Sequence, residues 1–346
     1  MESKKKSIVG LEPTELEKLI VDIGLKKFVA KQVLDWIYKK NNLDISNFKN
    51  ISKKDQSLLF QNFEFQVLKT EKILSAHNDS AVKFIFECKD QQKIEAVVLK
   101  ERNYNTLCLS SQCGCPVDCK FCLTGVVGFK RQLSKAEIIS QLISVQSYGY
   151  KISNIVFMGM GEPLLNYSEV IPAIDCITAE WGPFISKRKI TVSTSGYLPG
   201  INRLIKDKRS LNIAFSVGSL LTKIRKNIMP IEKRYPILDV VKQLWLYQKD
   251  HNRMLTLEYT LLKNQNHSKL EIDLLINCAK YLSAKINLIN FNPHPRLPFS
   301  PVSKNKIEEI SQYIKLSKVA ITIRHTKGQD IVAACGQLGE SILNKT

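Results

Sequence analysis

The stretch Cys115-Pro116-Val117-Asp118-Cys119-Lys120-Phe121-Cys122 places three thiols at C-x3-C-x2-C spacing. It follows an apolar, strand-like run from Thr106 to Ser111, so we expect the three side chains in a loop at the end of a strand. Three thiolates on a short loop can bind one face of a cube-shaped iron–sulfur cluster, which takes four ligands when complete. No fourth cysteine follows at close spacing, so the pattern predicts one iron left open for chemistry.

Two other interpretations of these cysteines are a zinc site and a disulfide. C-x2-C is a common half of a zinc site, but its partner C-x2-C or H-x3-H is missing here. The segment Met1–Lys6 lacks an apolar stretch like that of a secretory signal, which favours a cytoplasmic protein with reduced thiols. Nine cysteines in such a chain argue against disulfides. A structural zinc protein stays open as an alternative.

The composition indicates a globular protein with a polyanionic partner. Lysine and arginine number 51 against 32 acidic residues, a net charge of +19. Such an excess speeds encounter with nucleic acid, and compositional drift toward lysine does not account for an imbalance of this size. The 346 residues can form one large domain and a small one. No apolar run reaches 18 residues, so no membrane span is expected.

The chain divides into four predicted regions. Residues 1–64 have apolar residues at helical spacing, with Thr14 and Ser52 as candidate helix caps and Trp36 and Phe60 as candidate core residues. The lysines of this helical module, Lys31, Lys39 and Lys40, are candidates for contact with RNA phosphate. Residues 65–104 contain a predicted β-hairpin extension, in which 81–86 and 94–99 pair around a turn at 89–91. Residues 105–325 form the third region, and 326–346 a tail of small residues.

Strand-like and helix-like runs alternate in the third region, which predicts parallel strands joined by right-handed crossovers. The predicted helices are 134–148, 168–179, 198–206, 235–249, 268–282 and 303–316. The predicted strands are 105–111, 153–158, 189–194, 211–217, 254–262 and 285–291. Six strands are too few to close an eight-stranded barrel, so the fold class is α/β with an open, partial (β/α)6 barrel. Active sites of barrels lie at the carboxyl ends of the strands.

Three further motifs accompany the cysteine loop: Leu107–Cys115, Gly159–Asn166 and Ala333–Leu338. Together they resemble the radical S-adenosylmethionine (SAM) RNA adenine methyltransferases of the RlmN and Cfr group, over nearly the whole chain. The resemblance implies a 4Fe–4S cluster on Cys115, Cys119 and Cys122, and a partial barrel of the radical-SAM type. It also implies a helical accessory domain that helps to hold RNA.

The resemblance implies SAM contacts from seven positions: Gly161, Glu162, Ser193, Ser216, Val217, Gly218 and Asn292. A carboxylate such as Glu162 can accept hydrogen bonds from the amino group of SAM. The other interpretation of these positions is ordinary turn residues at strand ends. The family shows Ser-x-His at 216–218, whereas this chain has Gly218 in place of histidine. The departure predicts either that Ser219 or water substitutes for the missing side chain or that SAM binds more weakly.

The resemblance gives roles to three residues outside the cofactor sites. Cys335 is methylated by a first SAM, and a radical from a second SAM takes hydrogen from that S-methyl group. The methylene radical then adds to the adenine ring. Cys108 resolves the covalent adduct by forming a disulfide with Cys335. Glu95 aligns with the general base that removes the ring proton. From residue types alone, Cys335 reads as a buried structural cysteine and Glu95 as an outward-facing strand residue.

We therefore predict a cytoplasmic, monomeric RNA methyltransferase that uses two SAM molecules per turnover and an electron donor such as flavodoxin or ferredoxin. The predicted product is 2-methyladenosine at adenosine 2503 of 23S rRNA, with adenosine 37 of some tRNAs as a second target.

One alternative is methylation of carbon 8 of the same rRNA adenosine, which Cys113 favours because Cfr-type members are similar at this position. Another is a divergent paralogue that binds RNA or SAM without turnover, suggested by Gly218. Cys88, Cys176 and Cys278 match no motif and are predicted to be buried.

Overall fold

A computed structural model describes residues 5–77, 80–251, 253 and 255–343. Some predictions therefore lie partly outside the described residues: the signal-peptide argument at residues 1–4, the start of one strand at residue 254, and the end of the tail at 344–346. None of the helices in this described part of the chain combines the length and apolar composition that crossing a membrane requires.

The N-terminal segment is a small helical unit whose two ends pair with each other. Its elements are β1 (Lys6–Ser7), α1 (Pro13–Asp22), α2 (Val29–Leu34) with a π-helical continuation (Asp35–Lys39), a short 3₁₀ turn (Ile45–Asn47), α3 (Lys53–Asn62) and β2 (Phe63–Glu64). β1 and β2 form a parallel pair. Ser52 caps α3 as predicted, because its hydroxyl accepts the Asp55 N–H. Thr14 is not a cap: α1 begins at Pro13, whose fixed φ suits the first helical position.

The predicted core of this unit is confirmed at one position and wrong at another. Trp36 is buried and stacks on Phe48 with ring centroids 5.1 Å apart. Phe60 is 60% exposed, because α3 turns Gln56 and Leu59 inward instead. The Gln56 amide can be buried since it donates to two backbone carbonyls, those of Phe48 and Ile51.

The extension is a three-stranded antiparallel sheet rather than a single hairpin. Its strands are β3 (Leu68–Ser75), β4 (Ala81–Cys88) and β5 (Lys93–Lys100), so the predicted hairpin is confirmed as β4 and β5. β3 was not predicted because five of its eight residues are polar and only Leu68 is buried. β5 continues into the next strand, β6 (Asn105–Cys108), with Val97 opposite Cys108. The extension and the barrel therefore share one sheet.

The barrel follows β6 along the chain. Its elements are β7 (Gln112–Cys113), α4 (Leu123–Val127), β8 (Arg131–Gln132), α5 (Lys135–Ser147), β9 (Asn154–Phe157), α6 (Tyr167–Thr178), β10 (Ile190–Thr194), α7 (Leu198–Lys206), β11 (Asn212–Ser216), α8 (Thr222–Ile228), α9 (Ile237–His251), β12 (Thr256–Leu261), α10 (Lys269–Tyr281), β13 (Lys285–Asn290), α11 (Lys304–Leu316), β14 (Ile321–Arg324) and α12 (Glu340–Leu343). The large sheet has the order β14-β13-β12-β11-β10-β9-β6-β5-β4-β3. All neighbours from β6 to β14 in that order are parallel.

The predicted partial barrel and its six crossover helices are confirmed, with one strand more than predicted. β14 adds a seventh parallel strand beside β13. It was missed because it has four residues, two of them Thr322 and Arg324, and so gives no apolar run. The carboxyl ends of the parallel strands lie at one edge of the sheet, and the predicted motifs follow these ends.

Candidate active site

The cysteine loop lies between β7 and α4 and brings its three thiols to one cavity. Cys115, Cys119 and Cys122 are half-buried and line a cavity of about 170 Å³, which we call the cluster cavity. The loop turns tightly because Gly114, at φ +76°, passes against the Gly128 carbonyl. A Cβ at position 114 would lie 1.6 Å from that oxygen. Only glycine therefore fits the approach to the loop.

The three thiols fit an iron–sulfur cluster better than a single zinc ion. Among residues 5–77, 80–251, 253 and 255–343, no three His, Cys, Asp or Glu side chains are arranged to hold one metal ion. A 4Fe–4S cluster accepts separated thiolates because each binds a different iron. Burial raises the pKa of all three thiols above the ordinary value. The positive charge of bound iron would reverse this preference and deprotonate them.

Cys113 points away from the cluster cavity although it lies two residues from Cys115. It is buried on β7, and its thiol hydrogen-bonds that of Cys88, which raises the pKa of Cys88. Cys176 and Cys278 are also buried, as predicted for the three cysteines that match no motif. Cys176 donates to the Tyr38 hydroxyl over 3.5 Å and so joins the helical unit to the barrel.

The carboxylate of Glu162 is buried at the edge of the cluster cavity and is oriented by hydrogen bonds. Its Oε2 accepts the N–H and the hydroxyl of Ser195, each at 2.7 Å, and its Oε1 accepts the Leu164 N–H at 3.2 Å. Burial raises its pKa, and the Ser195 hydrogen bonds act in the opposite direction. Gly161 precedes it at φ +102°, where a Cβ would lie 2.6 Å from the Gln112 side chain. This arrangement can hold an ammonium group against a fixed carboxylate.

The other predicted SAM residues divide into two groups. Ser193, Ser216 and Asn292 line the cluster cavity with Gly161 and Glu162. Val217 and Gly218 are not in its lining: Val217 is buried in the core, and the Gly218 carbonyl accepts the Asn266 amide at 2.6 Å. The structure therefore brings five of the seven residues together around one cavity.

The space beside Gly218 is already filled. A Cβ at this position would lie 2.4 Å from the Met229 sulfur, and Gly218 has φ +69°. Met229 itself lines the cluster cavity. Ser219 does not replace the missing histidine as expected, because it is fully buried and its hydroxyl donates to Glu271. A side chain at position 218 would require Met229 to move.

Arg225 supports this wall of the cavity and was not found from the sequence. It is fully buried, with Nη1 2.7 Å from Glu232 Oε2. Its guanidinium also donates to the carbonyls of Ser195 and Val217, at 2.7 and 2.8 Å. It thus ties the ends of β10 and β11 together behind Glu162. An arginine between Ile224 and Lys226 in an ordinary helix gives no sequence signal of this role.

A second cavity lies on the other side of Cys335. This barrel cavity, of about 560 Å³, is lined by Cys108, Thr106, Glu258, Lys285, Asn287 and Arg324, among others. Cys335 and Arg324 line both cavities. Burial and the nearby Cys335 raise the pKa of Cys108 to about 12, whereas the Arg324 guanidinium opposes the rise. The Arg324 guanidinium therefore interacts with both thiols, those of Cys108 and Cys335.

Arg324 and Lys327, which precede the tail, both contribute to the lining of the barrel cavity. The pKa of Arg324 is raised, chiefly by the charge of Cys335. Lys327 Nζ pairs with Glu101 Oε1 at 2.7 Å and donates to the Lys100 carbonyl at 2.6 Å. Arg324 and Lys327 hold the segment that leads into the tail. This role is visible only in the folded structure and not in the sequence pattern.

Glu95 is fully buried and lines neither the cluster cavity nor the barrel cavity. Its carboxylate contacts Gly339 and Ser341 of the tail instead. This burial excludes the outward-facing position that the residue type alone suggested.

Two family models match the chain. Residues 6–64 match the ribosomal RNA large subunit methyltransferase N-terminal domain, and residues 109–274 match the radical SAM superfamily. The first match covers the helical unit, and the second covers the cysteine loop and most of the parallel strands.

Relatives match over nearly the full length. A protein of Aquifex aeolicus named "probable dual-specificity RNA methyltransferase RlmN" is 39% identical over 333 residues, covering 94% of both chains. The dual-specificity RNA methyltransferase RlmN of Francisella tularensis subsp. novicida is 35% identical over 357 residues, covering 100% of this chain and 96% of its own. The crystal structure of a radical SAM methyltransferase from Sphaerobacter thermophilus is 30% identical and superposes with a TM-score of 0.93, covering 96% of this chain and 99% of the other.

Proposed function

We propose, since the chain belongs to the RlmN family of radical SAM RNA methyltransferases, that it methylates carbon 2 of adenosine 2503 in 23S rRNA and of adenosine 37 in some tRNAs. The observation that carries the proposal is the position of Cys335 in the wall between the two cavities. Three cluster thiols lie on one side of it and Cys108 on the other. A carrier thiol and a resolving thiol need this arrangement.

In the cluster cavity, Cys115, Cys119 and Cys122 would hold the 4Fe–4S cluster, and Gly161, Glu162, Ser193, Ser216 and Asn292 would hold SAM. When bound, these groups supply an electron and a radical that removes hydrogen from a methyl group. The protein contributes orientation and exclusion of water. The Glu162 carboxylate is held by three donors, so it needs little rearrangement to accept an ammonium group.

Cys335 carries the methyl group, because the ring carbon of adenine is not nucleophilic enough to attack a sulfonium methyl directly. After the carbon is joined to the ring, the Cys108 thiolate attacks the Cys335 sulfur and an S–S bond forms. The C–S bond breaks, and its electron pair stays on the carbon, which takes up a proton and becomes the methyl group of the product. With a pKa of about 12, Cys108 is a neutral thiol at pH 7. The Arg324 guanidinium favours the thiolate of Cys108, which is the attacking form, and so assists this step.

The partners follow from charge and family. RNA is the macromolecular substrate, and the exposed Lys31, Lys39 and Lys40 of the helical unit are suited to contact its phosphates. A flavodoxin or ferredoxin supplies electrons, and the enzyme works as a cytoplasmic monomer. Cys113, which favoured methylation at carbon 8, is buried against Cys88 and gives that alternative no support from geometry.

The test is mass spectrometry of nucleosides from 23S rRNA and tRNA of cells that lack the gene. Wild-type protein should restore 2-methyladenosine, and Cys335→Ala should not. Cys278→Ala, at a buried cysteine on α10 that lines neither cavity, should restore it and is the matched control. Restoration of 8-methyladenosine would overturn the position of methylation. Failure of wild-type protein to restore any methyladenosine would overturn the activity.

A further inference from the structure

Two opposite charges are buried together in the β extension. Lys83 on β4 is 2% exposed and Glu95 on β5 is fully buried, and Lys83 Nζ lies 3.7 Å from Glu95 Oε2. Removing two charges from water is costly, and their mutual attraction alone repays little of that cost. Such a pair persists when further hydrogen bonds satisfy both groups. Their other partners therefore show what the pair does.

Both members of the pair bind the tail. Glu95 Oε2 accepts the Gly339 N–H at 3.0 Å, and Glu95 Oε1 accepts the N–H of Ser341 at 3.1 Å and its hydroxyl at 2.5 Å. Lys83 Nζ donates to the Val332 carbonyl at 3.1 Å. Val332 precedes Cys335, whereas Gly339 and Ser341 follow it. The pair thus holds the tail on both sides of the reactive thiol.

The tail backbone between these points is also fixed. The Gly336 carbonyl accepts the Leu123 N–H at 2.7 Å, and the Leu338 carbonyl accepts the Thr124 hydroxyl at 2.8 Å. The Asn292 amide donates to the Cys335 carbonyl at 3.0 Å. These contacts come from the start of α4, beside the cluster loop, and from the loop after β13. Cys335 is held between the two cavities only while the tail makes these contacts with the barrel.

The same contacts occupy Glu95 while the tail is docked. Its two carboxylate oxygens accept three hydrogen bonds from the tail and one of them faces Lys83 Nζ, so the carboxylate is directed at the tail and not at a substrate. It is also absent from the lining of both cavities. We propose that Lys83 and Glu95 are positioning residues, a buried anchor that acts on the reaction by fixing the tail and hence Cys335. The catalytic consequence rests on the proposed function, but the anchor can be tested without RNA.

The experiment compares Glu95→Gln, Lys83→Met and Ser341→Ala in the full chain. Hydrogen exchange of residues 328–343 and the rate of Cys335 alkylation by iodoacetamide report docking of the tail. We expect Glu95→Gln and Lys83→Met to speed both by about tenfold or more, and Ser341→Ala, which leaves both charges in place, by about fivefold. Glu71→Gln, the same change at an exposed glutamate of the extension that pairs with Lys93, should leave both rates unchanged.

RNA methylation then separates the two roles of Glu95. If it positions the tail, Ser341→Ala should lower methylation along with Glu95→Gln, and the fraction of Cys335 that becomes methylated should fall in both. Unchanged exchange and alkylation in Glu95→Gln and Ser341→Ala would overturn the proposal, and so would a covalent protein–RNA adduct that accumulates in Glu95→Gln alone. If wild-type protein does not methylate RNA, the proposed function fails while the exchange and alkylation results still decide the anchor.

Discussion

The cluster cavity and the barrel cavity meet at Cys335 but are built in different ways. The cluster cavity takes three of its thiols from one loop of eight residues, and its polar groups from strands and the turns that follow them. The barrel cavity takes one to three residues from each of seven strands and four from the segment 333–338 of the tail. The first is a site of local motifs, and the second exists only once the strands have assembled. The Cys335 sulfur faces both cavities, so its chemistry depends both on local motifs and on the assembly of distant strands.

The largest effect should come from removing one thiol of the cluster cavity. Cys119→Ala leaves two ligands for the cluster, so we expect iron content below about a tenth of that of the wild type and at least a hundredfold loss of RNA methylation. Cys113→Ala, in the same loop region but turned away, should keep its iron. Iron and sulfide analysis of the purified proteins checks both. Equal iron loss in the two variants would mean that the loop is assembled differently from this description.

A smaller effect is expected where Gly218 supports the wall of the cluster cavity. Gly218→Ala should lower the free energy of unfolding by roughly 2 kcal/mol, since it adds left-handed strain to a clash with Met229. Gly149→Ala has the same sign of φ, +89°, but nothing within 4 Å of the new Cβ, so it should cost about 1 kcal/mol. Denaturant unfolding measures both.

Gly218→His extends this comparison to cofactor affinity. Because Met229 occupies the space, we expect lower stability and no gain in SAM affinity, measured by equilibrium dialysis. Tighter SAM binding by this variant would show that the wall has room for the side chain and that the glycine impairs the site.

The smallest effect concerns Cys108 in the barrel cavity. Its raised pKa of about 12 leaves it protonated at neutral pH, so each unit of rising pH below that value should increase its thiolate and its alkylation rate about tenfold. Cys278, whose pKa burial alone also raises to about 12, is the matched control. Arg324→Gln should slow alkylation at Cys108 several-fold and leave Cys278 unchanged. Peptide mass spectrometry follows alkylation at both cysteines. If Arg324→Gln slowed alkylation of Cys108 and Cys278 equally, Arg324 would have no specific effect on the Cys108 thiolate.

Local patterns explain what the sequence could predict. The cysteine loop, the strand-end motifs and the six crossover helices each lie within a short window, where spacing and periodicity carry the information. The barrel cavity has no such window, because Thr106, Lys285 and Arg324 come together only through strand order. The anchor of the tail is harder still, since Lys83 and Val332 are separated by 249 positions. Phe60 shows the converse: a hydrophobic residue at helical spacing can still face solvent.

That separation of 249 positions has a consequence for biosynthesis. The extension and the barrel can fold as they leave the ribosome, but the Lys83–Glu95 pair stays without its tail partners until residues 332–341 have been made. Until then, two buried charges lack several hydrogen bonds, and Cys335 has no fixed place. A nascent chain that has emerged only as far as β14 therefore holds the barrel strands without a fixed Cys335, and synthesis of residues 332–341 completes the site.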